Sequence, residues 1–125
     1  MPKSKDDSNF ADVFAALRAL LVKYEPRLVV EHDSPIQYYL NSSKPGPRAK
    51  PICFAGVRLG KQYVSYYLMP VYGNKALLAG VSDELKQRMQ GKACFNFKSV
   101  DPKLFKELGR LTKLGFDCFK KLGWI

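Results

Sequence analysis

The stretch Ile52-Cys-Phe-Ala-Gly-Val-Arg-Leu-Gly-Lys-Gln-Tyr-Val-Ser-Tyr-Tyr-Leu-Met69 decides the fold. Two runs rich in β-branched and aromatic residues, 52–59 and 62–69, flank Gly60-Lys61, the pattern of a β-hairpin. Side chains alternate across a strand. Gln62, Val64, Tyr66 and Leu68 therefore share one face, and Tyr63, Ser65, Tyr67 and Met69 share the other. The first set is the more core-like. Upstream, Leu28–Glu31 and Ile36–Leu40 read as two further strands around a His32-Asp33-Ser34-Pro35 turn. Residues 41–51, with Pro45, Gly46, Pro47, Arg48 and Pro51, read as a surface loop. Downstream, Ala93–Lys98 is a last strand with Ala93, Phe95 and Phe97 on one side.

A helix brackets the strands at each end. After a loose lead-in over residues 1–7, Ser8 reads as an N-cap. Phe10, Val13, Phe14, Leu17, Leu20, Leu21 and Tyr24 then fall within an arc of roughly 120°, an apolar stripe that must lie on something apolar. Pro26 ends this helix. The second begins with Asp101 as cap and Pro102 in the first turn. Leu104, Leu108, Leu111, Gly115, Cys118, Phe119 and Leu122 form its apolar arc, and Lys103, Lys106, Arg110, Lys113, Lys120 and Lys121 form a separate cationic one. Between the last two strands, Lys75–Ala79 reads as one helical turn. Ser82 caps a short helix through Met89, which Gly91 closes. The reading is a single α+β domain over residues 8–125: a two-layer sandwich with both long helices on one face of a four- or five-stranded, mainly antiparallel sheet. Its expected core is Phe14, Leu17, Leu21, Phe54, Val64, Leu68, Phe95, Phe97, Leu104, Leu108, Leu111 and Phe119.

Composition excludes several function classes. At 125 residues the chain fits one domain. No apolar run approaches the ~20 residues of a membrane-spanning helix. The opening Met-Pro-Lys-Ser-Lys-Asp-Asp-Ser lacks the apolar core of a secretory signal, so a cytoplasmic protein is expected. Cys53, Cys94 and Cys118 are odd in number and widely spaced, which argues against a disulfide framework and fits a reducing compartment. With no Cys-x-x-Cys and one histidine, His32, a zinc site would need scattered ligands, and the thiols read as small packing residues. Any cofactor is left unknown by these residues.

Signatures of catalysis are weak. Gly56-Val-Arg-Leu-Gly-Lys61 brings a lysine after glycines but lacks phosphate-loop spacing and sits at a hairpin turn. His32 beside Asp33 and Ser34 is too local for a triad, and it meets Cys94 only if the fold brings them together. Glu31, His32 and Asp33 point to alternate faces of a strand, so they do not converge on a metal. The chain is read as more of a binder than an enzyme.

The binding signal is aromatic and cationic. Tyr38, Tyr39, Tyr63, Tyr66, Tyr67 and Tyr72 lie on or beside strands. A sheet with helices on one face leaves the other open, where tyrosines flanked by Arg58, Lys61, Lys92 and Lys98 would make a stacking platform. Tyrosine also suits any half-buried sheet position, whatever the function. The expected ligand-binding set is Tyr38, Arg58, Tyr63, Tyr67, Tyr72 and Lys92, on the open face or under the loop 70–72. The tyrosines would give flat contact area to a small ligand or a partner protein, and Arg58 and Lys92 would hold an acidic group. A second copy could also cover this face as a homodimer. The net charge of +10 raises an alternative, nucleic acid bound along Lys103, Lys106, Arg110 and Lys113 of the last helix.

The order of elements resembles the YdhG-like domain, a family of small bacterial proteins of unknown function. The resemblance rests on the strand–Gly–Lys–strand unit of Lys50–Tyr72 with its Met69-Pro-Val-Tyr exit, then Gly91-Lys-Ala-Cys-Phe-Asn-Phe97 and an Asp-Pro-started final helix. It covers roughly residues 10–122 and implies an α/β two-layer fold. Some members are described as frataxin-like iron chaperones, which implies a third function, iron delivery through oxygen ligands. The carboxylates on offer around the first helix are Asp6, Asp7 and Asp12. Members often carry a histidine in the second hairpin strand, where this chain has Ser65 and Tyr66.

Overall fold

A computed structural model of the chain describes residues 5–46 and 49–125. Five strands, β1 (Val29–Asp33), β2 (Gln37–Asn41), β3 (Cys53–Leu59), β4 (Val64–Leu68) and β5 (Cys94–Phe97), form one sheet in chain order with every neighbouring pair antiparallel. Two long helices, α1 (Lys5–Val22) and α4 (Pro102–Lys121), cover one face, and the segment between β4 and β5 contributes two short ones, α2 (Met69–Gly73) and α3 (Asp83–Lys86). The fold is thus α+β with an open antiparallel sheet, as the hairpin and the two flanking stripes imply. No helix among the described residues is long and apolar enough to cross a membrane.

Register explains which side chains are covered. Tyr38 pairs with Val57 and Val57 with Tyr66, while Leu40 pairs with Ala55 and Ala55 with Leu68. All six are fully buried against the helices, together with Phe95 and Phe97 of β5. Every residue of the expected core is buried. A bulge, where Leu40 pairs with Ala55 but Asn41 with Cys53, inserts Phe54 as an extra residue. Phe54 and Ala55 are consequently both buried, and the Phe54 ring meets Tyr24, Phe116 and Phe119 edge-on at 5.5–6.1 Å. α4 is tied to the sheet centre by a buried hydrogen bond of 2.7 Å between Tyr66 Oη and Thr112 Oγ1, and Thr112 Oγ1 donates to the Leu108 carbonyl at 2.8 Å. α2 meets α4 at Gly115, where an added Cβ would come 2.9 Å from Pro70 Cγ.

Several boundaries differ from the sequence reading. α1 already runs at Lys5, so Ser8 lies inside the helix and residues 5–7 of the expected lead-in are helical; residues 1–4 of it lie outside the described residues, as do Pro47 and Arg48 of the 41–51 loop. Strand β1 extends through His32 and Asp33, and the reversal is confined to residues 34–36. Ser34 makes it: its Oγ accepts from the amides of Ile36 and Gln37 at 3.3 and 3.1 Å. The short helix capped by Ser82 ends at Lys86, with turns carrying the chain on to Gly91, whose φ is +83°.

The two sheet edges are treated differently. β5 is shielded, because Gln90 donates to the Cys94 carbonyl at 2.9 Å and Asn96 to the Arg88 carbonyl at 2.8 Å. β1 has all five residues exposed and no further strand beside it among the described residues. A bulge between Val30 and His32 and the charges of Glu31 and Asp33 blunt that edge.

Candidate functional site on the open sheet face

The uncovered face carries a cross-strand row, His32–Tyr39–Gly56–Tyr67–Cys94, read directly from the pairing of all five strands. Glycine in the middle position shapes it. A Cβ built on Gly56 would fall within 2.9 Å of three carbons of the Tyr39 ring, so that ring lies flat on the backbone of β3. From there Tyr39 reaches Tyr67 at 6.2 Å between centroids with 32° between planes, and His32 stands edge-on to Tyr39 at 5.8 Å. Tyr39 and Tyr67 are half-buried and His32 is exposed, so the row presents tilted and edge-on rings along the open face.

Beside this row runs a polar one. Gln37, Arg58, Ser65 and Asn96 are register partners in sequence across β2 to β5. Ser65 Oγ donates to Asn96 Oδ1 at 2.7 Å, the Cys94 thiol donates to the same oxygen at 3.3 Å, and Asn96 Nδ2 donates to Gln90 Oε1 at 2.8 Å. Tyr63 Oη reaches Gln90 Oε1 at 3.3 Å. Arg58, Lys61, Tyr63, Tyr67 and Asn96 line a shallow recess of about 890 Å³. Burial raises the pKa of Tyr39, and burial with the nearby Cys94 raises that of Tyr67; burial likewise raises Cys94 and pushes Cys53 up to about 11. At neutral pH these rings and thiols are therefore protonated, and the charge facing the recess comes from Arg58 and Lys61.

The expected ligand-binding residues divide three ways. Arg58, Tyr63 and Tyr67 meet in the recess. Tyr72 and Lys92 sit elsewhere, with the Lys92 ammonium 5.8 Å over the Tyr72 ring beside α2. Tyr38 is a correction: it is fully buried on the helix side, where its hydroxyl donates to Glu25 and the Arg18 guanidinium stacks 4.4 Å over its ring. Adjacent tyrosines in a strand face opposite ways, and the pairing of Tyr38 with core Val57 sends Tyr39 outward in its place. His32 and Cys94 do not meet either. They end the same row on β1 and β5, four strand spacings or roughly 19 Å apart.

On α4, Lys103, Lys106, Arg110 and Lys113 are exposed, but Lys103 pairs with Glu84 at 3.5 Å and Lys113 with Asp117 at 3.4 Å. Glu107 stands between them, holding both the amide and the hydroxyl of Ser82. Among the described residues no group of three or more His, Cys, Asp or Glu could hold a metal ion. Compared with known protein families, curated proteins and solved structures, the chain matches none. The likeness to the YdhG-like domain rests on the quoted residues alone.

Of the site residues, Tyr39 is named among the strand tyrosines but left out of the expected ligand-binding set, and Asn96 and Gln90 are passed over. A signal for the first exists in hindsight of register: a glycine inside a strand pattern marks close approach of another group. Asn96 and Gln90 carry no local signal, because the turn that brings Gln90 back beside β5 is read only from the hydrogen bonds.

Proposed function

We propose that the chain is a non-enzymatic binding module whose open sheet face takes a small planar ligand bearing an anionic group. The observation that carries this reading is the Tyr39 ring laid on Gly56 beside Tyr67, with Arg58 in the neighbouring row. Flat aromatic surface stacks a ring with little loss of side-chain freedom, and a guanidinium pairs with a carboxylate or phosphate in bidentate fashion. The ladder of Ser65, Asn96 and Gln90 offers hydrogen bonds to the ligand's edge. Raised thiol pKa values and the distance of His32 from Cys94 leave the face without an activated nucleophile, which favours binding over catalysis. The three free cysteines support a reducing setting such as the cytoplasm.

Amide-resolved NMR titration tests it, with adenosine 5′-monophosphate and a neutral control, adenosine. The nucleotide is expected to shift amides at Tyr39, Arg58, Tyr67 and Asn96. Arg58→Ala should weaken the nucleotide but not adenosine, and Tyr67→Ala should weaken both. Shifts confined to α4 around Lys106 and Arg110, growing with oligonucleotide length and collapsing with salt, would refute it in favour of nucleic-acid binding on the cationic helix.

A further inference from the structure

The sheet and the helices leave a second recess at the other end of the hairpin, between α2, the end of α4 and the residues after it. Its volume is about 330 Å³, at the small end of ligand pockets, and its walls are Met69, Pro70, Tyr72, Phe119, Leu122 and Trp124. Among the described residues no carboxylate lines it, and it shares no lining residue with the recess on the open face. Its far wall is held in place. Trp124 packs edge-on against Phe119 at 4.9 Å, its amide donates to the Phe119 carbonyl at 3.0 Å, and its carbonyl accepts from Lys44 at 2.9 Å.

Three features at this recess are unaccounted for by folding. Tyr72 and Leu122 leave more than half of their surface in water, 57% and 54%, although both are large and apolar. Among the described residues Asn74 Nδ2 finds only the Cys118 sulfur, at 3.9 Å, which leaves its N–H groups able to take a better acceptor. Lys92 makes no ion pair among the described residues and rests its ammonium against the Tyr72 ring, one of the walls. Apolar walls, a free amide donor and a cation resting on the Tyr72 wall are complementary to one kind of molecule. We propose that this recess binds a small monocarboxylic acid with an apolar aromatic or branched body, the body seated between Tyr72, Leu122 and Trp124 and the carboxylate turned to Lys92 and Asn74.

Trp124 is the chain's one tryptophan, so its fluorescence reports on this recess and on no other. The probes are 3-phenylpropionate and its neutral counterpart 3-phenylpropanamide. Saturable change with the acid is expected, and weaker binding of the amide. Lys92→Gln should weaken the acid about tenfold and leave the amide unchanged. Leu122→Ala, at an exposed position that the fold tolerates, should weaken both, whereas Arg58→Ala should alter neither. The proposal is overturned if the tryptophan signal does not saturate with either probe. It is equally overturned if acid and amide bind alike and Lys92→Gln leaves both unchanged. Because the reporter and the variants are separate from Tyr67 and Arg58, failure here is distinguishable from failure of the open-face site.

Discussion

Replacing Gly56 by alanine tests the architecture of the open face with one methyl group. The new Cβ would occupy the space of the Tyr39 ring, so the ring must swing off the sheet. Leaving the Tyr67 contact costs about 0.5–1.5 kcal/mol, and re-exposing some 50 Å² of ring adds about 1 kcal/mol. Against this, alanine is favoured over glycine inside a strand by about 0.5–1 kcal/mol. The net expectation is a loss of about 0.5–2 kcal/mol, measured as a lower urea midpoint with an unchanged slope. The sign of the effect depends on Tyr39 being there. In a Tyr39→Ala background the space is empty, and Gly56→Ala should become neutral or stabilising, by up to about 1 kcal/mol. Equal destabilisation in both backgrounds would refute the reasoning, since the glycine would then be required by the backbone and not by the ring. Gly56→Ala should also abolish nucleotide shifts at Tyr67 if the stacked pair is the binding floor.

Thr112→Val strands the fully buried Tyr66 hydroxyl and should cost about 1–3 kcal/mol, whereas adding Tyr66→Phe should recover part of that loss in a double-mutant cycle. Burial alone would raise the pKa of Glu107, but the hydroxyl and amide of Ser82 outweigh it and hold the carboxyl below its ordinary value. A depressed carboxyl contributes stability that is present at neutral pH and is lost as pH falls below about 4. The acid limb of a melting-temperature profile should accordingly flatten in Glu107→Gln. Cys53, with its pKa near 11, should alkylate with iodoacetamide at pH 8 at least about a hundredfold more slowly than a free thiol, and speed up as pH climbs toward that value; mass spectrometry of the modified peptide reads the rate.

Period alone carried most of the architecture. The hairpin, the apolar stripe from Phe10 and the Asp101-Pro102 start are local patterns, and the structure keeps each, with the reversal centred on Lys61-Gln62 instead of Gly60-Lys61 and the first helix ending at Val22, before Tyr24. Position-specific facing was harder where neighbours are chemically alike. Tyr38 and Tyr39 are interchangeable to any local reading, and only the partners across the strand, Val57 and Gly56, separate a structural tyrosine from an exposed one. Phe54 beside Ala55 breaks the alternation because a bulge lies between their partners, an event decided by packing against Tyr24, Phe116 and Phe119. His32 reads as a turn residue since it precedes Asp-Ser-Pro, yet the Ser34 hydroxyl tightens the reversal enough to leave it in the strand. Of the recess near Trp124 only the 70–72 side, with Tyr72, was legible locally: its walls come from segments some fifty residues apart, Met69–Tyr72 and Phe119–Trp124, joined by the seat of Pro70 on Gly115.

The asymmetry of the two sheet edges limits how this chain can associate. A subunit with two bare edges is a link in an endless ribbon, each copy handing an unpaired strand to the next. Here Arg88–Gln90 shield one side, so β1 is the one face of the sheet's rim at which backbone groups could bridge to another copy. Such a join uses the same edge twice, antiparallel across a two-fold axis, and it consumes the last free row of donors and acceptors. Growth by strand addition therefore terminates at a pair. Centred on His32, such a pair sets Glu31 of each copy against Asp33 of the other, a like-charge contact that disfavours the join, although Arg18 pairs with Asp33 at 3.2 Å within each copy. The two acidic side chains on this edge thus disfavour self-templating, and a partner with basic side chains on an extended segment would meet the reverse of that repulsion.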